Sequence, residues 1–245
     1  MILCPWVRLG AFLSGELLIN LRGVRTGVIP DLHIPGHVDG ALEFCVETFR
    51  NHGVQQVVCL GDIVDHHFIS RHQTEVDALN PEQEFKLAKK ELQKWVKAFP
   101  DMFICQGNHD LIPERRLHEL GVPSTVYLKS LNDVYGLPDT WVWSERFKVF
   151  DDVIIEHGIG SAGMYGARNT AIKLGCSYVQ GHTHSFAGTY DIPRALKNNA
   201  AMNAGCLVDV DKYYSRYGRL IFKVPVSLGC GIIYSVNHME FIPFR

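Results

Sequence analysis

At 245 residues, with 47% hydrophobic and 20% charged side chains, the chain is long enough to bury one large core and too apolar to stay disordered. Its 24 Lys and Arg against 26 Asp and Glu give a formal charge of -2, which offers no general field for nucleic acid or an anionic membrane. Nothing reaches the run of about 18 apolar residues that a transmembrane helix needs, and the seven cysteines, an odd number without C-x-x-C spacing, read as small buried hydrophobes in a reducing, cytoplasmic setting.

In chain order, residues 1–23 form an extension of uncertain structure. Arg8 falls late, Glu16 interrupts, and no small-residue cleavage pattern follows a long apolar core, so a short extra strand or an extended translation start is preferred to a signal peptide. Val24 to Ile29 reads as a strand leading into Asp31-Leu32-His33. From Gly40 to His52, Leu42, Cys45, Val46 and Phe49 fall at helical spacing, with Gly53 as the stop. Val57 to Leu60 is a strand before Gly61-Asp62-Ile63-Val64-Asp65. Between Asn80 and Phe99 the signals of a helix coincide: Asn80 can cap, Pro81 suits the first turn, Gln83 completes a capping box, and Phe85, Ala88, Leu92, Trp95 and Phe99 make one apolar stripe.

Met102 to Cys105 is a strand before Gly107-Asn108-His109-Asp110, and a helix is predicted from Pro113 to Leu120 with Gly121 after it. Val153 to Ile155 precedes Glu156-His157-Gly158, a helix runs from Ala167 to Leu174 before Gly175, and Tyr178 and Val179 precede Gly181-His182-Thr183-His184. After Gly218 the pattern is of strands: Leu220 to Val224, Gly231 to Val236 and Met239 to Phe244. Alternating strands and helices with a strand-rich end predict an α/β fold of two facing sheets with helices outside, and the absence of a repeat or linker predicts one domain over residues 24–245.

The five motifs all stand at the ends of strand-like runs, where sites collect in sheets covered by helices. Together they hold the neutral imidazoles and carboxylates that bind borderline transition metals, in numbers enough for two divalent ions side by side. Each piece alone is common in loops, and the conjunction carries the signal. His37, His52, His118 and His238 stand outside these motifs and read as ordinary core or surface histidines.

On these motifs, in this order, the chain resembles the calcineurin-like metallophosphoesterases. The likeness extends over roughly residues 24 to 206, where Asn203-Ala204-Gly205-Cys206 is similar to a later Asn-Pro-Gly-Ser turn with two substitutions. The resemblance implies a four-layer α/β/β/α sandwich of two mixed sheets. It implies one metal on Asp31, His33, Asp62 and His184 and a second on Asp62, Asn108, His157 and His182, with Asp62 bridging. It further implies a bridging hydroxide as nucleophile and His109, paired with Asp65, as general acid. Manganese is the first choice of metal, with iron and zinc compatible with the same donors.

The chain departs from the protein serine/threonine phosphatases of that superfamily, which have Arg-Gly where His66-His67 stand and Glu where Asp110 stands. Histidine does not reproduce the bidentate fork of arginine, so Arg71, Arg115 and Arg116 are the candidates to grip phosphate. The expected activity is hydrolysis of small phosphoesters, as phosphatase or phosphodiesterase. A metal-dependent DNA or RNA nuclease is the alternative, and a non-catalytic protein-binding scaffold a more distant one, since such a scaffold is expected to lose ligands that this chain keeps.

Overall fold

The computed structural model describes residues 18–71, 79–195, 197–212 and 224–245. Strands β1 (Leu18–Asn20) and β2 (Thr26–Ile29) open the described chain, followed by helix α1 (Ala41–Asn51), β3 (Gln56–Cys59), α2 (Pro81–Ala98), β4 (Met102–Cys105), α3 (Ile112–Glu119), α4 (Ser124–Tyr127) and α5 (Leu131–Tyr135). Then come β5 (Trp141–Ser144), β6 (Arg146–Val149), β7 (Val153–Glu156), α6 (Gly166–Leu174), β8 (Ser177–Gln180), β9 (Gly188–Ile192), β10 (Asn199–Asn203), β11 (Gly229–Ser235) and β12 (His238–Pro243).

Two six-stranded sheets result, ordered β1-β6-β7-β8-β10-β9 and β12-β11-β2-β3-β4-β5. In the second, β2, β3, β4 and β5 run parallel and β11 and β12 add antiparallel strands; the first mixes both senses as well. Period-two alternation explains how one strand serves two layers. Val58 and Leu60 point between the sheets to meet Phe147, Val149, Ile155, Val179 and Met202. Val57 and Cys59 point outward to Cys45 and Phe49 of α1 and Leu92 and Trp95 of α2. Behind the other sheet, Ala167 and Ala171 of α6 cover Tyr178, Ile192 and Ala201. The order helix, sheet, sheet, helix is the four-layer sandwich expected.

Local chemistry sets the elements much as the sequence suggested. Asn80 Oδ1 accepts the Gln83 N–H at 3.0 Å while Gln83 Oε1 accepts the Asn80 N–H at 3.0 Å, closing the capping box that starts α2. Such a cap contributes about 1 kcal/mol. The end of the extension, β1, pairs in parallel with β6, while residues 1–17 lie outside the described residues. The predicted strand from Leu220 lies outside them too, up to residue 223; Val224 is described and lies in a bend. The six cysteines of the described residues are unpaired thiols, five of them buried. No helix among the described residues is long and apolar enough to cross a membrane.

Candidate metal centre

Asp31 follows β2, Asp62 follows β3, Asn108 follows β4, His157 follows β7, and His182 and His184 follow β8. These strand ends come from both sheets, so the motifs meet across the top of the sandwich. Asp62 Oδ2 lies 3.5 Å from His33 Nε2 on one side and 3.3 Å from His157 Nε2 on the other. On the first side, Asp31 Oδ2 lies 3.1 Å from His184 Nε2. On the second, His157 Nε2 lies 2.9 Å from Asn108 Oδ1 and 3.2 Å from His182 Nδ1. The clusters Asp31, His33, His184 and Asp62, His157, His182 each bring one donor atom per residue within 4.8 Å of one another.

The fit to cations can be tested on the polar atoms themselves. Asp31 Oδ1 and His33 Nε2 are buried and have no hydrogen-bond partner. A buried carboxylate oxygen and a bare imidazole nitrogen left so are costly unless something positive satisfies them. Two of the imidazoles are oriented by their other nitrogens. His157 Nδ1 donates to the Leu60 carbonyl at 2.8 Å, which turns Nε2 toward the cluster. His33 Nδ1 is likewise tied to Asp65 Oδ1 at 2.7 Å.

The backbone is bent to make this possible. His33, Asp62 and His182 all have positive φ, 49°, 47° and 60°, a region that non-glycine residues rarely adopt. Close approach explains two of the motif glycines. A Cβ on Gly107 would overlap Asp62 Oδ1 and one on Gly181 would overlap Asp31 Oδ1.

The electrostatics follow from burial against a concentrated charge. Burial opposes the charged form of Asp62, but His157 and His109 hold its carboxyl well below the usual range. For His109, burial is again outweighed, here by Asp62 and Asp65, which raise its pKa to about 10. His157 is pushed up to about 10 in the same way, against burial, by Asp62 and Asp31. The His109 N–H donates to Asp62 Oδ1 at 2.7 Å, and its ring Nδ1 lies against the Asp65 carbonyl and 3.3 Å from Asp65 Oδ1. Asp65 therefore serves two imidazoles, His33 and His109, whose centroids are 4.4 Å apart.

Two supporting residues were not assigned a role from sequence. The buried Asp110 carboxylate accepts the backbone N–H groups of Asp62 at 2.7 Å, Ile63 at 3.0 Å and Gly107 at 3.0 Å, which fixes the strained turn at Asp62. Its pKa is raised to about 7 by burial and by the neighbouring Asp62. Asn203 donates to the carbonyls of Thr183 at 3.2 Å and Ser185 at 2.9 Å and accepts the Gly205 N–H at 3.1 Å, holding the loop that carries His182 and His184. The sequence signal for both was their place in a motif, with no indication of what they touch.

Of the arginines, Arg71 and Arg116 both pair with Glu119, at 2.6 and 2.7 Å, and Arg116 Nε also donates to the Ile69 carbonyl. Arg115 has no carboxylate partner among the described residues and donates to the backbone carbonyl of Asn108.

A two-sheet α/β sandwich with Asp, His and Asn donors gathered at its strand ends is the class of a metal-dependent hydrolase. The model of the calcineurin-like phosphoesterases matches residues 24–194, and the chain belongs to that family. No curated protein sequence matches it. Among solved structures, vacuolar protein sorting 29 from Cryptosporidium parvum aligns at 13% identity and TM-score 0.42 over 87% of this chain and 86% of that one. The phosphoesterase YfcE from E. coli aligns at 15% and 0.40 over 85% and 87%, and a protein proposed to be a diadenosine tetraphosphatase at 12% and 0.47 over 94% and 99%.

Proposed function

We propose that the chain hydrolyses small phosphoesters with two divalent cations, one held by Asp31, His33, Asp62 and His184 and the other by Asp62, Asn108, His157 and His182. The observation that carries this reading is Asp62 Oδ2 lying between the two donor groups, 3.5 Å from His33 Nε2 and 3.3 Å from His157 Nε2. The unsatisfied Asp31 Oδ1 and His33 Nε2 support it. Bound cations would lower the pKa of the attacking water and neutralise charge developing on the phosphoryl oxygens. Mixed imidazole, carboxylate and amide donors suit manganese first, and iron or zinc as well. We take residues 24–245 as one domain, with 1–23 as an extension.

His109 acts as the general acid in this reading. Its Nδ1 is engaged with Asp65, so Nε2 is the atom left to give a proton to the leaving oxygen. The Asp65 carboxylate beside Nδ1 favours the protonated ring. Arg115 supplies the phosphate grip that His66-His67 lacks: it is tied to the backbone of one metal ligand and keeps its other donors for substrate oxygens. Arg115→Ala is expected to raise KM and the inhibition constant of inorganic phosphate about tenfold, the scale of one hydrogen bond to a charged group, with kcat little changed. Arg115→Lys restores little of this, because a point charge does not replace a fork. Unchanged phosphate inhibition in Arg115→Ala would assign the grip elsewhere.

The reading is tested by assaying the full chain with manganese, iron or zinc on a monoester, a diester, and single- and double-stranded DNA. Metal-dependent turnover of a small ester is expected, with only weak nucleic-acid binding at physiological salt, because 24 basic residues are balanced by 26 acidic ones. A nuclease tracking the backbone of duplex DNA would instead show affinity falling with salt at a slope of about -0.9 per phosphate neutralised. Tight binding of that kind with processive cleavage would replace the small-ester reading by the nuclease reading. Absence of hydrolysis with every metal would favour the scaffold.

A further inference from the structure

We propose that His66 and Tyr135 are positioning residues for His109, a two-link relay from α5 that holds the backbone of the acid in place. The inference rests on the reading of His109 as the acid and adds to it the residues that fix its position.

His66 follows Asp65 and is held at φ 48°, uncommon for a bulky side chain, with its ring turned inward and only 8% exposed. Its Nδ1 lies 3.0 Å from the backbone oxygen of His109, and its Nε2 lies 2.9 Å from the hydroxyl of Tyr135. A carbonyl only accepts, so Nδ1 must carry the proton. Nε2 is then bare and accepts the Tyr135 O–H, and one tautomer satisfies both bonds. Burial favours the neutral ring that this requires, lowering the His66 pKa to about 4.

His109 returns the bond, since its own Nδ1 donates to the Asp65 carbonyl. The two segments are thus clasped in both directions: His109 side chain to Asp65 backbone, and His66 side chain to His109 backbone. The far end of the relay is itself braced. Tyr135 is 3% exposed, its ring sits 5.3 Å from that of Phe85, and its carbonyl accepts from Gln93 Nε2 at 3.3 Å, both on α2. The His109 carbonyl also accepts the Ile112 N–H at 3.1 Å, so loss of His66 loosens that segment without orphaning its oxygen. A displaced acid costs rate through misplacement, and about 1 Å is enough for about 10².

The test uses His66→Leu, His66→Asn and Tyr135→Phe in the full chain, with two independent readouts. In the protein before metal is added, long-range proton–nitrogen NMR should find His66 protonated on Nδ1. In the metal-loaded protein, His66→Leu should cut turnover of an alkyl phosphate about 10- to 100-fold. Turnover of a phenyl ester with a low-pKa leaving group should fall less, and metal content and KM should stay unchanged. His66→Asn, whose amide nitrogen can occupy the place of Nδ1, should recover most of the loss. Tyr135→Phe should lose a smaller factor on the same ester, and His66→Leu/Tyr135→Phe should be no worse than His66→Leu alone, as expected for one relay.

A proton on Nε2 of His66, equal losses on both esters, loss of metal, or additive effects of the two variants would each overturn the proposal. If His66→Leu does not fold, His66→Asn and Tyr135→Phe still decide it. A wild-type chain without metal-dependent hydrolysis would sink the reading of the site, while the NMR result would still report on the clasp.

Discussion

Asp62→Asn is expected to strip much of the metal from the purified protein and to lower turnover by about 10³ or more, beyond the cost of one lost electrostatic donor. The substitution isolates one atom. Asp62 Oδ1 accepts the His109 N–H at 2.7 Å, and an asparagine oxygen can keep that bond. Oδ2 is the atom between His33 and His157, and in asparagine an NH₂ stands in its place, which cannot ligate a cation. Because both donor groups converge on that oxygen, neither metal should be retained at full strength. Elemental analysis beside turnover checks this. Two metals per chain with undiminished rate would refute the bridging assignment.

His109→Ala is expected to keep the metals and to cut turnover by about 10² to 10⁴, the range for losing a positioned acid. Geometry alone leaves a competing assignment, since His33, Asp62 and His109 also form a cluster that could hold a cation. The pairing of His109 Nδ1 with Asp65 suits a proton donor. Leaving groups separate the two. An alkyl alkoxide needs a proton as it departs and should suffer most, whereas a low-pKa phenolate should suffer least. If both esters slow equally, or metal content falls with activity, His109 is a ligand.

Much of the fold could be read from local pattern. The stripe and caps of α2, the start and stop of α1, and the strand runs before Asp31, Asp62, Asn108, His157 and His182 all depend on short-range spacing, and they appear within a few residues of the expected positions. β10 could not be read this way. Its five residues, Asn-Ala-Ala-Met-Asn, are all buried but carry no β-branched or alternating pattern. It is a strand because β8 and β9 flank it, and pairing of that kind is nonlocal. The short helices α4 and α5 escaped notice for a related reason, since four and five residues are too few for a period to register.

For the site, the sequence by itself determined the donor inventory: which carboxylates, imidazoles and amide were available, and that each would stand at a strand end. What only the tertiary structure decided is which atoms meet. Asp31 Oδ2 accepts the backbone N–H of His182, 151 residues away, and His157 Nδ1 bonds to Leu60, 97 residues away. The first fixes the backbone of the loop that carries His182, the second sets the nitrogen that His157 presents to the cluster, and no local pattern encodes either. The same applies to Asp110 on the Asp62 turn, Asn203 on the His182 loop and His66 between Tyr135 and His109. Chain order names the groups, but a hydrogen bond between segments exists only once two sheets have packed and a buried polar atom must find its partner.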